Sequence, residues 1–143
     1  MALTNVDTFI ASGNVIFDAG MPPRPDEIEA ALEVEFGFAI PIYLRTAAEV
    51  IAVADLRPFG DSEGPVEVSF LPAAPDPEAV DELLATIRGT DQLAVVGAEV
   101  YWLLGGPRGE STHQEATVVK ILGMPTTRRS IRTVQRIADR YLR

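Results

Sequence analysis

Apolar residues along this 143-residue chain recur with two periods, and the switches between them predict its elements. Asp7 to Phe17 reads as a strand. Phe9, Val15 and Phe17 share one parity and Ile10 and Ile16 the other, so both faces are expected to be covered. Ser12-Gly13-Asn14 interrupts that strand, where a mid-strand glycine marks a bulge or a close backbone approach. Pro25 then opens a helix, with Asp26 and Glu27 at its positive end. Ile28, Ala31, Leu32 and Phe36 follow at helical spacing, and Gly37 stops it.

Ile40 to Arg45 reads as a short strand. Thr46-Ala47-Ala48-Glu49 fits a capping box, and the short helix it opens ends by Pro58. Val66 to Leu71 alternates, which predicts a strand with one buried face. Asp76-Pro77-Glu78 starts a helix with Val80, Leu83, Leu84 and Ile87 as its apolar stripe, ended by Gly89. Gln92–Val96 and Glu99–Leu104 predict a hairpin around the Gly97-Ala98 turn. A second capping-box match, Thr112 to Glu115, opens a helix through Val118, Val119 and Leu122, closed by Gly123 and Pro125. Thr126 or Thr127 introduces a last helix with Ile131, Val134, Ile137 and Tyr141 on one face. The order β-α-β-α-β-α-β-β-α-α, without repeats, predicts an α+β fold with helices packed on a largely antiparallel sheet. One domain is expected over residues 1–143, with sub-units 1–72 and 73–143 sharing a core.

Composition narrows the chemistry. Hydrophobic residues make up 47% of the chain, enough for a real core. There is no cysteine, which removes disulfides, thiolate metal sites and cysteine nucleophiles. No apolar stretch approaches the roughly 20 residues that span a bilayer, and the expectation is a soluble, cytoplasmic protein without cofactor or metal. Charge is laid out unevenly. Residues 1–120 hold twenty acidic and six basic side chains, and residues 121–143 hold one acidic and six basic, within a total of −9. An acidic body of this kind repels phosphate backbones, so nucleic acid is not expected as a partner.

Arg128, Arg129, Arg132, Arg136, Arg140 and Arg143 therefore invite the closest reading. Arg132, Arg136 and Arg140 are one helical turn apart, and Arg129 and Arg143 extend the stripe. The plain interpretation is a solvated basic face pairing with the acidic body. Arg128 and Arg129 differ, because on a helix starting at Thr126 they would sit at the positive end. Cations there cost roughly 0.3–1 kcal/mol each. The sharper expectation is an anion site for phosphate, carboxylate or an acidic partner, built from Thr126, Thr127, Arg128, Arg129, Ser130 and Arg132. Ser12 and Asn14 form a second candidate, a ligand-facing turn in a sheet cleft, against the simpler reading of a bulge bonded to its own backbone. His113 is the single histidine and falls at a helix cap, which suits a surface residue better than a catalyst. Trp102 and Tyr101 are adjacent in a strand, so they face opposite ways and read as core. No catalytic residue is assigned. The alternative is an enzyme acting on a phosphorylated or carboxylated small molecule, using Arg128 and Arg129 as a clamp with Ser12 or His113.

Several segments, taken in order, resemble the DUF1697 family of bacterial α+β proteins. They are Thr8 to Phe17, Glu35-Phe36-Gly37-Phe38, Arg45-Thr46, Val96 to Tyr101, and Thr126-Thr127-Arg128 leading to Arg132-Thr133-Val134. The resemblance implies ferredoxin-like βαβ units and no particular activity. The chain departs from the pattern in having Ser130-Ile131 where the family has Asn-Trp, and Ser111-Thr112 where it has Ser-Lys. The family pattern also opens earlier, with a strand, a Gly-rich turn and a helix. A sheet short of that strand exposes an edge or face, so a homodimer formed by edge pairing or exchange of an element is expected.

Overall fold

The computed structural model describes residues 2–9, 13–61, 64–87, 91–105 and 115–143. It opens with a hairpin. β1 (Leu3–Phe9) pairs antiparallel with β2 (Asn14–Ala19), with Phe9 opposite Asn14 and Leu3 opposite Ala19. The single strand expected from Asp7 to Phe17 is thus two strands. Gly13, at φ 84°, belongs to the turn between them, and Asn14 Nδ2 donates to the Phe9 carbonyl at 2.9 Å. Apolar residues on both parities arise because each strand has its own facing, not because one strand is buried on both sides. Phe9 is the buried residue of this hairpin.

α1 (Pro25–Phe36) has the expected Pro start, acidic first turn and left-handed Gly37 cap, yet it buries none of its residues. The strand expected at Ile40–Arg45 is absent. Pro41 removes a ladder donor, and the segment is tied down by side chains instead. Glu29 accepts the Ile42 N–H at 2.8 Å. Arg45 donates to the carbonyls of Leu44, Leu71 and Ala98 and pairs with Glu99 at 2.9 Å. α2 (Ala47–Asp55) follows, with both bonds of the Thr46/Glu49 capping box formed.

The remaining elements are β3 (Val66–Phe70), α3 (Pro77–Leu84), β4 (Gln92–Val96), β5 (Glu99–Leu103), α4 (Glu115–Leu122), β6 (Thr127–Ser130) and α5 (Ile131–Ile137). A π-helical segment, Ala138–Leu142, continues α5. Asp76 holds the N-cap position of α3 without a side-chain cap bond. Gly97, at φ 59°, makes the expected turn between β4 and β5. The expected Thr112 cap and Gly89 stop lie outside the described residues. The sheet has the order β4-β5-β3-β6, and every pairing in it is antiparallel.

Helices cover both faces of this sheet. On one face Val68, Phe70 and Tyr101 pack with Val53 and Ala54 of α2 and with Val134 and Ala138. On the other, Val100 and Trp102 pack with Leu83 of α3 and Val118 and Leu122 of α4. That is why β3 departs from the one-faced burial its alternation predicts: Val68, Ser69 and Phe70 are all buried. The largest correction comes at the end of the chain. Thr127–Ser130 is an edge strand paired with β3, and the last helix begins only at Ile131, capped by Ser130, whose hydroxyl accepts the Thr133 N–H. Arg128 and Arg129 are strand residues, not the first turn of a helix.

Tyr101 gives the first face a pH limit. Burial, then the nearby Glu99 carboxylate, push its phenol up to about 12, with Arg45 opposing. The unfolded chain releases the same proton near 10.0. Stability from this group is therefore complete below pH 10 and declines as pH rises from 10 toward 12, by roughly 2–3 kcal/mol in all. Urea unfolding across that range should show the decline, and Tyr101→Phe should remove its share of it.

Candidate functional site at the edge strand

Strand alternation sends the two neighbouring arginines of β6 to opposite faces. Arg128 enters the face covered by α3 and α4. Its guanidinium carbon lies 3.7 Å from the centre of the Trp102 ring. Arg128 Nε is 3.0 Å from Glu67 Oε2 and 3.2 Å from Glu115 Oε2. Those are ion-pair distances without hydrogen-bond geometry. Nε and Nη2 are shielded from solvent and meet no hydrogen-bond acceptor among the described residues.

Glu115 accepts its hydrogen bonds from other groups. Ser69 Oγ donates to Glu115 at 3.0 Å, and the Thr126 hydroxyl also donates to Glu115. Trp102 Nε1–H in turn donates to Ser69 Oγ at 3.2 Å. One cation thus serves two carboxylates, and the indole, hydroxyl and carboxylate form a line running from β5 through β3 to the first residue of α4. Ser69 is a buried hydroxyl in an otherwise apolar core, and this line accounts for it. As placed, the charge of Arg128 is already answered within the chain.

Arg129 points to the other face and reaches the hairpin. Its Nε donates to Asn14 Oδ1 at 2.9 Å, and its Nη1 donates to Thr127 Oγ1 at 2.7 Å and to the Arg128 carbonyl at 2.9 Å. Burial lowers the affinity of this guanidinium for its proton relative to a free arginine. Two candidates that the sequence kept apart, Asn14 and Arg129, therefore meet.

Beside them the terminal helix closes over Phe9. The Tyr141 ring stands edge-on to it at 6.1 Å, and the guanidiniums of Arg136 and Arg140 lie 4.9 and 6.0 Å from its centre. Arg140 is also 5.2 Å from the Tyr141 ring. Such contacts hold the cations by ring electrostatics and leave much of their donor edge free. Arg143 instead pairs with Asp55 and Asp139. Among the described residues Arg132, Arg136 and Arg140 have no carboxylate within ion-pair distance. The sequence reading of a basic face paired with the acidic body holds for Arg143 and not for these three.

The six residues proposed from sequence thus divide. Thr126 and Arg128 join the Glu115 network, Thr127 and Arg129 join Asn14, Ser130 caps α5, and Arg132 is exposed. Ser12 and His113 lie outside the described residues. Sequence reasoning read Phe9 only as a strand residue and Glu115 only as part of a capping box, and it passed over Glu67 and Ser69; what joins Glu67, Ser69 and Glu115 to Arg128 is the pairing of β3 with β5 and β6. Two open clefts of about 410 and 420 Å³ border this region without including its arginines, the second lined in part by Ile131 and Gln135 of α5. The first, between the start of α1 and residues 42–45, carries Arg24 and Arg45 against Asp26 and Glu29, so its charge is balanced. Burial, then Glu29 and Glu115, raise the Tyr43 phenol above its ordinary value there. Among the described residues no group of three or more His, Asp or Glu could hold a metal, and no helix is long and apolar enough to cross a membrane.

Comparison with known proteins adds one match: the family described as "Protein of unknown function (DUF1697)" fits residues 1–101. The chain belongs to the DUF1697 family. The match includes the hairpin, the end of α1, Arg45-Thr46 and the β4–β5 turn, and stops at Tyr101. The DUF1697 match therefore leaves Glu115 and the whole arginine segment outside it. No curated protein and no solved structure matches the chain.

The Arg128 network makes a stability prediction. Arg128→Ala leaves Glu67 and Glu115 without a cation and uncovers Trp102, and should cost about 2–3 kcal/mol in urea unfolding. Arg128→Lys keeps the charge but loses the planar stack, and should cost about half of that. Trp102 is the one tryptophan, so its emission should report both changes.

Proposed function

We propose that this protein is a binding domain, without chemistry of its own, that receives an anionic group or acidic partner on the basic face of its C-terminal segment. The observation that carries this reading is the unanswered charge of Arg132, Arg136 and Arg140 on a chain of net charge −9. Twenty acidic residues precede residue 121, yet those in the described structure leave this trio unpaired. A positive patch held apart from a negative body focuses the field on itself and draws anions to one place.

Phe9 and Tyr141 strengthen the reading. Stacking on a ring fixes the guanidinium plane beforehand, so less side-chain freedom is lost when a carboxylate or phosphate arrives. Arg128, by contrast, is already held by two carboxylates, which moves the proposed anion from the first residues of the segment toward Arg136 and Arg140. The fold also supports a finer description. We infer that β3-α3-β4-β5-α4-β6 is a ferredoxin-like unit: β3 and β4 run parallel on either side of β5, β5 and β6 on either side of β3, and α3 and α4 share one face. α2 and α5 then cover the face opposite those crossover helices.

The test is fluorescence anisotropy of a labelled poly-glutamate peptide titrated with the full chain. Binding should weaken as salt rises, and Arg136→Gln with Arg140→Gln should weaken it by about tenfold or more at low salt. Arg128→Lys should leave it within about twofold, because that side chain faces the other side of the sheet. Absence of binding, or undiminished binding by the Arg136/Arg140 variant, overturns the reading.

A further inference from the structure

We propose that the acidic partner is helix α1 of a second copy of this chain, with two copies exchanging the contact reciprocally. This rests on the reading that the basic face receives an anion, and goes beyond it by naming the occupant. α1 carries Asp26, Glu27, Glu29, Glu33 and Glu35, no cation, and no buried residue. Ile28, Glu29 and Leu32 are half-buried, which turns the opposite row, Glu27, Ala30 and Val34, with Asp26 and Glu33 beside it, to the outside. Val34 is 88% exposed, and Phe36 and Phe38, 56% and 61% exposed, hold their rings 6.3 Å apart just beyond.

One chain thus bears two surfaces of opposite charge. The first is acidic along a helix and aromatic at its end; Asp26 pairs with Arg24 there, while Glu27 and Glu33 are exposed without an ion pair among the described residues. The second is basic along a helix, with half-buried Tyr141 over the buried Phe9. Among the described residues they do not meet: no carboxylate of α1 pairs with Arg132, Arg136 or Arg140. Glu27 and Glu33 lie about 9 Å apart along α1, between the rise of about 6 Å from Arg136 to Arg140 and about 12 Å from Arg132 to Arg140, a spacing that long arginine side chains can span with the two helices laid side by side. Val34 and the phenylalanines add the apolar burial that ion pairs at a surface cannot supply. A reciprocal contact uses both surfaces of both copies and closes as a two-fold dimer, whereas a one-way contact would leave one of each open.

Sedimentation velocity on two charge-reversed variants tests this. Wild type should sediment as a dimer whose dissociation constant rises about tenfold or more with added salt. Glu27→Lys with Glu33→Lys should be monomeric, as should Arg136→Glu with Arg140→Glu, each keeping native Trp102 emission. Mixed in equal amounts, the two variants should form a heterodimer, because both of its contacts are then between opposite charges. A wild-type monomer, a salt-insensitive dimer, a variant that still dimerises alone, or a mixture that stays monomeric overturns the proposal. If wild type is monomeric yet binds poly-glutamate through Arg136 and Arg140, this inference fails while the binding function stands. If the peptide does not bind, the binding reading itself has failed.

Discussion

Burial of the four-stranded sheet on both of its faces is the constraint on which the rest of this structure depends. A sheet covered on one side can shed its polar side chains into water. Here α2 and α5 occupy one side and α3 and α4 the other, so each polar residue of the inner strands needs a partner inside the protein. Ser69 finds Trp102 and Glu115, Glu67 finds Arg128, and Glu99 finds Arg45. These bonds are the terms on which a polar residue is admitted to a two-sided core. They also fix register, since a slip of one residue in β6 would exchange Arg128 and Arg129 and strand both.

The same constraint explains what could be read from the sequence. α1, α2 and the β4–β5 turn were legible because local chemistry specifies them: Pro25 and Gly37, the Thr46/Glu49 box, Gly97. The opening hairpin was not, because Phe9, Ile10, Val15, Ile16 and Phe17 carry the apolar pattern across Ser12-Gly13-Asn14, a turn that resembles a bulge in sequence. β6 was not, because Thr127-Arg128-Arg129-Ser130 contains no apolar residue at all; its strand character comes from pairing with β3 and is invisible locally. The candidate site inherited that error. A helix would have gathered Arg128 and Arg129 near one terminus, and a strand separates them by the thickness of the sheet. What survived was the charge pattern, since the cations without partners are among those whose helical spacing the sequence displayed.

The arginine segment spans several electrostatic settings within sixteen residues, beyond the ion pairs of Arg143 and the exposed Arg132. Arg128 lies against an indole between two carboxylates. Arg129 is held by neutral oxygens of Asn14, Thr127 and the backbone. Arg136 and Arg140 rest on aromatic faces. Counting the residues alone would treat these as equivalent charges. Arg128 also has donors without acceptors, but they are shielded from solvent, whereas Arg136 and Arg140 are exposed, and that difference in surroundings, more than the number of arginines, underlies the functional reading.

The seating of Phe9 carries a consequence for how the protein is made. Its ring is covered by Arg136, Arg140 and Tyr141, and its hairpin is tied to the sheet through Arg129. All four follow the hairpin by more than 100 residues in the sequence. The hairpin must therefore stay undocked, with Phe9 in water, until that distant segment has been made. The hairpin is held by a part of the chain far from it in sequence.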